Sequence, residues 1–312
     1  MSGTPLTVVL TGATGFIGSA VLAELLRRGC RPVVVLRPAS DPRRIERLGG
    51  FECVTAERLD ELGLVETLRA RQPEVFIHCA WRGVAGQERN SEYQITDNVP
   101  LAIAAAKLAA DCGCRHWIGL GSQAEYGNLN CVISEAAPTV PTTLYGKAKL
   151  AAGIAALALC EARGLTAAWL RVFSTYGPGD APHWMLPYVI REFSANRAPD
   201  LTLCEQSWDY LFVEDAARAV AEVAACRATG VFNLGSGQAT PLKEIVEALR
   251  HLSGATVAPR YGAIAYRPDQ IMHLQADVAR LQQAAGWRPK VPLLEGLRRT
   301  AAHFQSVNPA HP

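Results

Sequence analysis

The chain has 312 residues, enough for one large domain or two lobes, and its 49% hydrophobic and 19% charged composition is that of an ordinary soluble globular protein. A formal net charge of +2 gives no electrostatic argument for nucleic acid or a membrane surface as partner. Neither "MSGTPLT" nor the greasiest segments, around 99–110 and 150–160, have the pattern of a signal peptide or a spanning helix. Lys107 breaks the first of those segments, and Lys149 and Glu161 bound the second. Nine cysteines form no CxxC and no Cys/His zinc spacing, so we expect reduced core cysteines, no bound metal and a cytoplasmic location.

The first motif is "VVLTGATGFIGSAVL", residues 8 to 22, where three apolar residues and Thr11, all β-favouring, run into Gly12, Gly15 and Gly18 and then into a helical apolar pattern. Strand, glycine turn and helix in that order form a dinucleotide cradle: glycine permits the turn, close backbone approach to phosphate, and close helix–strand packing. The helix N-terminus offers free N–H groups to a pyrophosphate, and Thr14, Phe16 and Ile17 are counted with the glycines as cofactor-lining positions. Next come a strand in "RPVVVLRP", a short helix in "DPRRIERL", a strand in "FECVTA" and a helix in "DELGLVETLRARQ". "PEVFIHCAW", "RHWIGLGS" and "LTAAWLRVF" read as further strands, separated by helices in "ITDNVPLAIAAAKLAADCG" and "TLYGKAKLAAGIAALALCEARG". Alternation of strand and helix through residue 173 predicts an α/β, Rossmann-type doubly wound parallel sheet. Beyond Ser174 the prolines at 178, 182, 187 and 199 break the rhythm. "LTLCE", "WDYLFV" and "GVFNLGS" read as strands, and 214–227, "PLKEIVEALRHLSG" and "EGLRRTAAHF" as helices. The expected organisation is a cofactor domain over 1–173, with 209–234 threading back into it. A smaller C-terminal α/β substrate lobe spans 174–208 and 235–305, and 306–312 forms a tail.

Three clusters carry chemistry. Arg37 ends the second strand about 20 residues past the glycines, where an acidic residue would accept the 2′-hydroxyl of NAD and a guanidinium would bind the 2′-phosphate of NADP. With Arg43 and Arg44 close behind, the spacing favours NADP(H); NAD(H) stays open, since a solvated basic edge would have the same composition. In "LYGKAK", Tyr145 and Lys149 stand at i and i+4 at the opening of a helix and share one face. A phenol with a pKa near 10 needs about 4 kcal/mol of phenolate stabilisation to titrate about 3 units lower, and a neighbouring ammonium pushes that way. Ser122 closes the strand in "GLGSQAEYG", at the carboxyl edge where open α/β sheets bind ligands, and its hydroxyl can hold a substrate oxygen.

With these motifs the chain resembles the extended short-chain dehydrogenase/reductases that modify nucleotide sugars, the epimerase/dehydratase family. "TGATGFIG", "IHCAW", "TDNV", "GSQAEYG", "YGKAK", "RVFSTYGPGD", "DYLFVEDAARA", "VFNLGSG" and "GWRPKVPLLEGL" carry the resemblance over nearly the whole chain. It implies an enzyme in which Tyr145 exchanges the proton, Lys149 binds the nicotinamide ribose and tunes Tyr145, and Ser122 holds the reacting sugar oxygen. Ala80 and Asn98 fall where the family lines or supports the cofactor. Glu57 sits where an acidic residue meets the adenine, with Asp60 as a substitute, and Arg267 matches an arginine that clamps the substrate diphosphate.

The departures from the family pattern are informative. Gln123-Ala124 stands in place of the Asp-Glu of the dehydratases, and Glu125 lies one place too late, so elimination is not expected and Gln123 is left to line the sugar. Ser174 replaces an asparagine at the substrate, and Trp208 replaces a second phosphate-clamping arginine, offering a ring for stacking or for the core. Arg37 moves the expectation from a 4-epimerase that recycles bound NAD towards an NADPH-dependent 4-ketoreductase, of the subgroup that contains CDP-abequose-synthase-like enzymes. A UDP-glucose-type 4-epimerase and a non-catalytic NADP-binding regulator remain as alternatives. The partner is then a nucleotide-diphosphate sugar. Two Ala-rich helices, "LAIAAAKLAA" and "KLAAGIAALALC", match the family's four-helix homodimer interface.

Overall fold

The computed structural model describes residues 5–307. Its strands, in chain order, are β1 Thr7–Thr11, β2 Arg31–Leu36, β3 Glu52–Thr55, β4 Val75–His78, β5 His116–Ser122, β6 Cys131–Ile133 and β7 Thr166–Val172. They continue as β8 Ser174–Tyr176, β9 Asp200–Leu201, β10 Ser207–Phe212, β11 Gly230–Leu234, β12 Ala239–Pro241, β13 Arg260–Tyr261 and β14 His273–Ala276. The helices are α1 Phe16–Arg27, α2 Leu64–Arg69, α3 Tyr93–Thr96, α4 Asn98–Asp111, α5 Leu144–Ala162, α6 Met185–Ser194, α7 Val213–Cys226, α8 Leu242–Leu252, α9 Ala279–Ala285 and α10 Leu293–Val307.

Seven parallel strands form the large sheet in the order β11-β7-β5-β4-β1-β2-β3. β1, β4 and β5 are buried along their whole length, as a parallel sheet covered by helices on both faces requires. One face packs under α1 and α7, the other under α2, α4 and α5, giving two apolar layers. Trp169 of β7 stacks on Trp117 of β5 with centroids 6.1 Å apart. A Cβ at Gly121 of β5 or Gly153 of α5 would run into the Trp169 indole. The glycines of "WIGLGS" are thus the space this ring occupies. β11 completes the sheet edge against β7, and α7 lies beside α1, so residues late in the chain return to the large sheet.

The smaller sheet runs β12-β10-β14-β6, with β8 paired to the second half of β10 and a separate β9–β13 pair. Its apolar cluster is built mainly from α6, α8, α10 and Tyr176, Leu201 and Phe212. Asp209 is buried at its centre, where the N–H groups of Ser236, Gly237 and Ala276 and the Ser236 hydroxyl all donate to its carboxylate.

Three local expectations change. "DPRRIERL" forms turns rather than a helix: Ile45 and Glu46 both donate to Pro42 O and Leu48 N to Ile45 O, and the segment then meets Gly49-Gly50. "LTLCE" is strand only at Leu201, because Cys204 takes φ +54, outside the extended region. α6 was not anticipated because Pro187 reads as a breaker. It falls in the first turn, where its missing N–H has no intrahelical acceptor to lose. Of the expected tail, Ser306 and Val307 finish α10, and residues 308–312 lie outside the described residues.

Candidate active site

The glycine turn between β1 and α1 is built as a cradle. Gly12 has φ +76, and a Cβ there would collide with the backbone of Cys79 and Ala80, so this turn presses against the loop that follows β4. A Cβ on Gly18 would strike the Gly12 carbonyl, which is the close helix–strand packing expected of the third glycine. Gly15 differs: its nearest neighbour would be Gly12 O at 3.3 Å, and it caps α1 without a side-chain hydrogen bond. The first helical bond runs from Ser19 N to Gly15 O, so the Phe16 and Ile17 amides have no helical acceptor. This is a site whose open side and free donors fit a dinucleotide pyrophosphate.

At the end of β2, Arg37 is exposed and its guanidinium pairs with no carboxylate among the described residues, while its backbone N–H bonds Ser40 Oγ. Its neighbours are committed. Arg43 is bound to Asp41 at 2.7 Å, and Arg44 donates to the carbonyl of Gly179, so of the three expected arginines only Arg37 is at liberty. Glu57 is exposed, with its backbone N–H capped by Glu61, whereas Asp60 is taken up by Arg58 at 2.7 Å. Asn98 is fully buried and exchanges two bonds of 2.9 Å with the backbone of Arg82, which fixes the loop carrying Ala80.

Tyr145 and Lys149 point from the first turns of α5 towards the carboxyl ends of β4 and β5, and both are buried. Lys149 Nζ donates to Leu120 O at 2.7 Å, lies 5.9 Å from the centre of the Tyr145 ring, and sits 3.6 Å over the ring of Trp81. Burial drives the ammonium down to about 7, with the Glu125 carboxylate pulling back. Burial likewise pushes the Tyr145 phenol up, against hydrogen bonding toward Ser122 and the charge of Arg89. Ser122 ends β5 and caps the following turn, accepting from Ala124 N at 3.2 Å.

Glu125 is not available for chemistry. It is wholly buried, and its oxygens accept from Ser122 N at 2.8 Å, Trp169 Nε1 at 2.9 Å and Arg171 Nε at 2.7 Å. It clamps the turn that carries Ser122. Gln123, in that same turn, has a buried side-chain oxygen with no partner, an acceptor suited to a ligand hydroxyl. Trp208 lies in β10 between the two smaller apolar clusters, and its buried indole N–H also lacks a partner. Ser174 is half-buried at the start of β8, and Arg267 is exposed in the loop before β14.

Two residues that the sequence reading passed over stand beside this group. Trp81 meets Tyr145 edge-on at 6.1 Å and is held by Gln94, whose side-chain oxygen accepts from Trp81 Nε1 at 2.9 Å. Arg89 places its guanidinium 4.7 Å from the Tyr145 ring centre. Both lie in "WRGVAGQERN", a long connection after β4 at the sheet's carboxyl edge, and such loops carry function in this architecture. A separate groove of about 980 Å³, lined by Arg31, Phe51, Arg69 and Arg115 among others, opens at the amino edge, away from Tyr145.

Comparison with known proteins identifies the family. A family model described as NAD dependent epimerase/dehydratase family matches residues 8–235. UDP-glucose 4-epimerase of Corynebacterium glutamicum is 29% identical over 336 residues, covering 96% of each chain. dTDP-6-deoxy-L-talose 4-dehydrogenase (NAD(P)(+)) of Kitasatospora kifunensis is 29% identical over 308 residues, covering 94% of each. The solved structure of MoeE5 in complex with UDP-glucuronic acid and NAD is 26% identical with a TM-score of 0.82, covering 97% of this chain and all of that one. The glycine cradle, the Tyr145–Lys149 face and a family match over most of the length lead to one assignment: the chain belongs to the NAD-dependent epimerase/dehydratase family of enzymes, within the extended short-chain dehydrogenase/reductases.

Proposed function

We propose that this enzyme is an NADPH-dependent reductase of a nucleotide-linked 4-keto-6-deoxyhexose, acting at sugar C4. The observation that carries the reading is Arg37, which of the three arginines expected at the end of β2 is the one with no side-chain partner among the described residues, in a chain that also presents Tyr145 and Lys149 on one buried face. The Kitasatospora relative, named dTDP-6-deoxy-L-talose 4-dehydrogenase (NAD(P)(+)), supports the substrate class and a nicotinamide dinucleotide of either kind.

In this reading Gly12, Thr14, Gly15, Phe16, Ile17 and Gly18 hold the cofactor pyrophosphate, Arg37 the 2′-phosphate and Glu57 the adenine. Ala80 and Asn98 shape the cofactor loop, and Lys149 takes the nicotinamide ribose. When bound, the reduced dinucleotide supplies the hydride. Ser122 and Tyr145 grip the C4 oxygen, Tyr145 gives it a proton, and Lys149 stabilises the phenolate left behind. Gln123, Ser174 and Trp208 line the sugar, and Arg267 meets the diphosphate. Residues 1–173 with 209–234 form the cofactor half, and 174–208 with 235–305 the substrate half. A cytoplasmic role in deoxysugar synthesis and a homodimer through α4 and α5 complete the reading. The stripe of Ala151, Ile154 and Ala158 left exposed on α5 supports that pairing.

The test is oxidation of NADPH by purified protein offered CDP-, dTDP-, GDP- and UDP-linked 4-keto-6-deoxyhexoses. Turnover with at least one is expected, with a Michaelis constant for NADPH at least about tenfold below that for NADH. That margin corresponds to about 1.4 kcal/mol, within the range of a charged hydrogen bond. Preference for NADH defeats the cofactor assignment. The Corynebacterium relative favours a second reading, a nucleotide-hexose 4-epimerase with retained NAD. Conversion of UDP-glucose without added cofactor would establish that reading and remove the first.

A further inference from the structure

We propose that Arg89 is a second, permanent cation of the proton-transfer site, a positioning residue that stabilises the Tyr145 phenolate alongside Lys149. The inference rests on the reading of Tyr145 as the proton-exchanging group. Lys149 is the cation the sequence pattern supplies, yet it is enclosed by Trp81, Leu120 O and the sheet, and burial weakens its hold on a proton. Arginine keeps its charge in any such surrounding.

The geometry places that charge well. Arg89 lies with Cζ 4.7 Å from the Tyr145 ring centre, nearer than Lys149 Nζ at 5.9 Å. The position is locked by backbone: Tyr145 N donates to Arg89 O at 2.8 Å, and Leu144 N donates to Asn90 Oδ1 at 3.1 Å, so the loop is stapled to the first turn of α5. Arg89 has no ion-pair partner among the described residues, and its Nε is buried without an acceptor. A half-buried guanidinium whose Nε is shut away from both water and an acceptor is costly unless its field is used. The charged and titratable groups around Tyr145 are Arg89, Lys149 and Glu125; Arg267 and Asp269 act in turn on Arg89 with opposite signs. Glu125 is paired with Arg171, and of the two cations beside the ring Arg89 is the nearer to its centre.

The sign follows directly. A cation near a phenolate favours the ionised form, so removing it raises the pH at which Tyr145 gives up its proton. Arg89→Met keeps the length and apolar stem of the side chain and deletes the charge. The experiment compares wild type, Arg89→Met and Arg89→Lys, each loaded with oxidised dinucleotide. Tyrosinate absorbance is titrated with pH, and the matching Tyr145→Phe protein is subtracted as a blank. We expect the Tyr145 midpoint to rise by about one unit in Arg89→Met, the size of one charge at this range behind partial solvent screening. The acid limb of the alcohol-oxidation rate profile should move with it, and Arg89→Lys should restore most of both shifts. The titration needs no sugar substrate, so it decides the role of Arg89 even if the 4-ketoreductase reading fails. A midpoint unmoved in Arg89→Met overturns the proposal. So does an unmoved midpoint accompanied by weaker binding of nucleoside diphosphates, which would make Arg89 a substrate-anion ligand, or by a lower melting temperature alone, which would make it structural.

Discussion

Tyr145→Phe should lower turnover about a hundred- to ten-thousandfold, the usual worth of a positioned proton donor, while leaving dinucleotide affinity within about threefold of wild type. The separation of the two effects comes from the geometry. Phenylalanine keeps the ring that meets Trp81 edge-on and lies under Arg89, so the packing at the mouth of α5 is retained. The glycine cradle, Arg37 and Lys149 do not touch the lost hydroxyl through any hydrogen bond in the structure; Lys149 is anchored on Leu120 O instead. What disappears is the phenol proton that the proposed mechanism delivers to a substrate oxygen. Isothermal titration with NADP⁺ and steady-state turnover measured on the same preparation check both halves. Near-normal turnover would take Tyr145 out of the mechanism, and lost cofactor binding would show that the ring itself is part of the cofactor site.

Glu125→Ala should destabilise the fold by about 3–5 kcal/mol, because it strands the Arg171 guanidinium in the interior without its counter-charge. Arg171 is 7% exposed and Glu125 not at all, so water cannot take over the lost bonds. The same substitution frees Trp169 Nε1 and Ser122 N, two further buried donors. It also removes the second half of the capping box that holds the Ser122 turn, so turnover should fall beyond what unfolding accounts for. Denaturant midpoints measure the first effect, and activity well below the transition measures the second. Adding Arg171→Met should recover part of the stability, since an apolar pair is tolerated where a half-pair is not. A loss under about 1 kcal/mol for Glu125→Ala would mean that the pair contributes little.

Much of the site was legible in the chain before folding. Gly12, Gly15 and Gly18 stand at fixed offsets in a strand–turn–helix, and Tyr145 and Lys149 at i and i+4, so both patterns depend only on local geometry. Glu125 was legible as misplaced for elimination, but its actual partner, Arg171, is 46 residues away across two strands. Trp81 and Arg89 were not legible at all. They sit in an irregular loop, where side-chain direction follows no period and contacts with α3 and α5 fix it.

The same division holds for the whole molecule. The sequence by itself determined the doubly wound sheet, because long apolar strands alternate with amphipathic helices and that rhythm admits few topologies. It determined the dinucleotide turn and the Tyr145–Lys149 face for the same reason, each being written within one or two turns of chain. Only the tertiary structure decided the smaller sheet, whose strands β6, β8 and β12 are three residues long and exist because distant partners complete their hydrogen bonds. It alone decided which arginines are free. Arg43 and Arg44 bond Asp41 and Gly179, while the exposed Arg37 has no carboxylate partner among the described residues and Arg89 lies over Tyr145, because charge is assigned by neighbours in space and not by order along the chain.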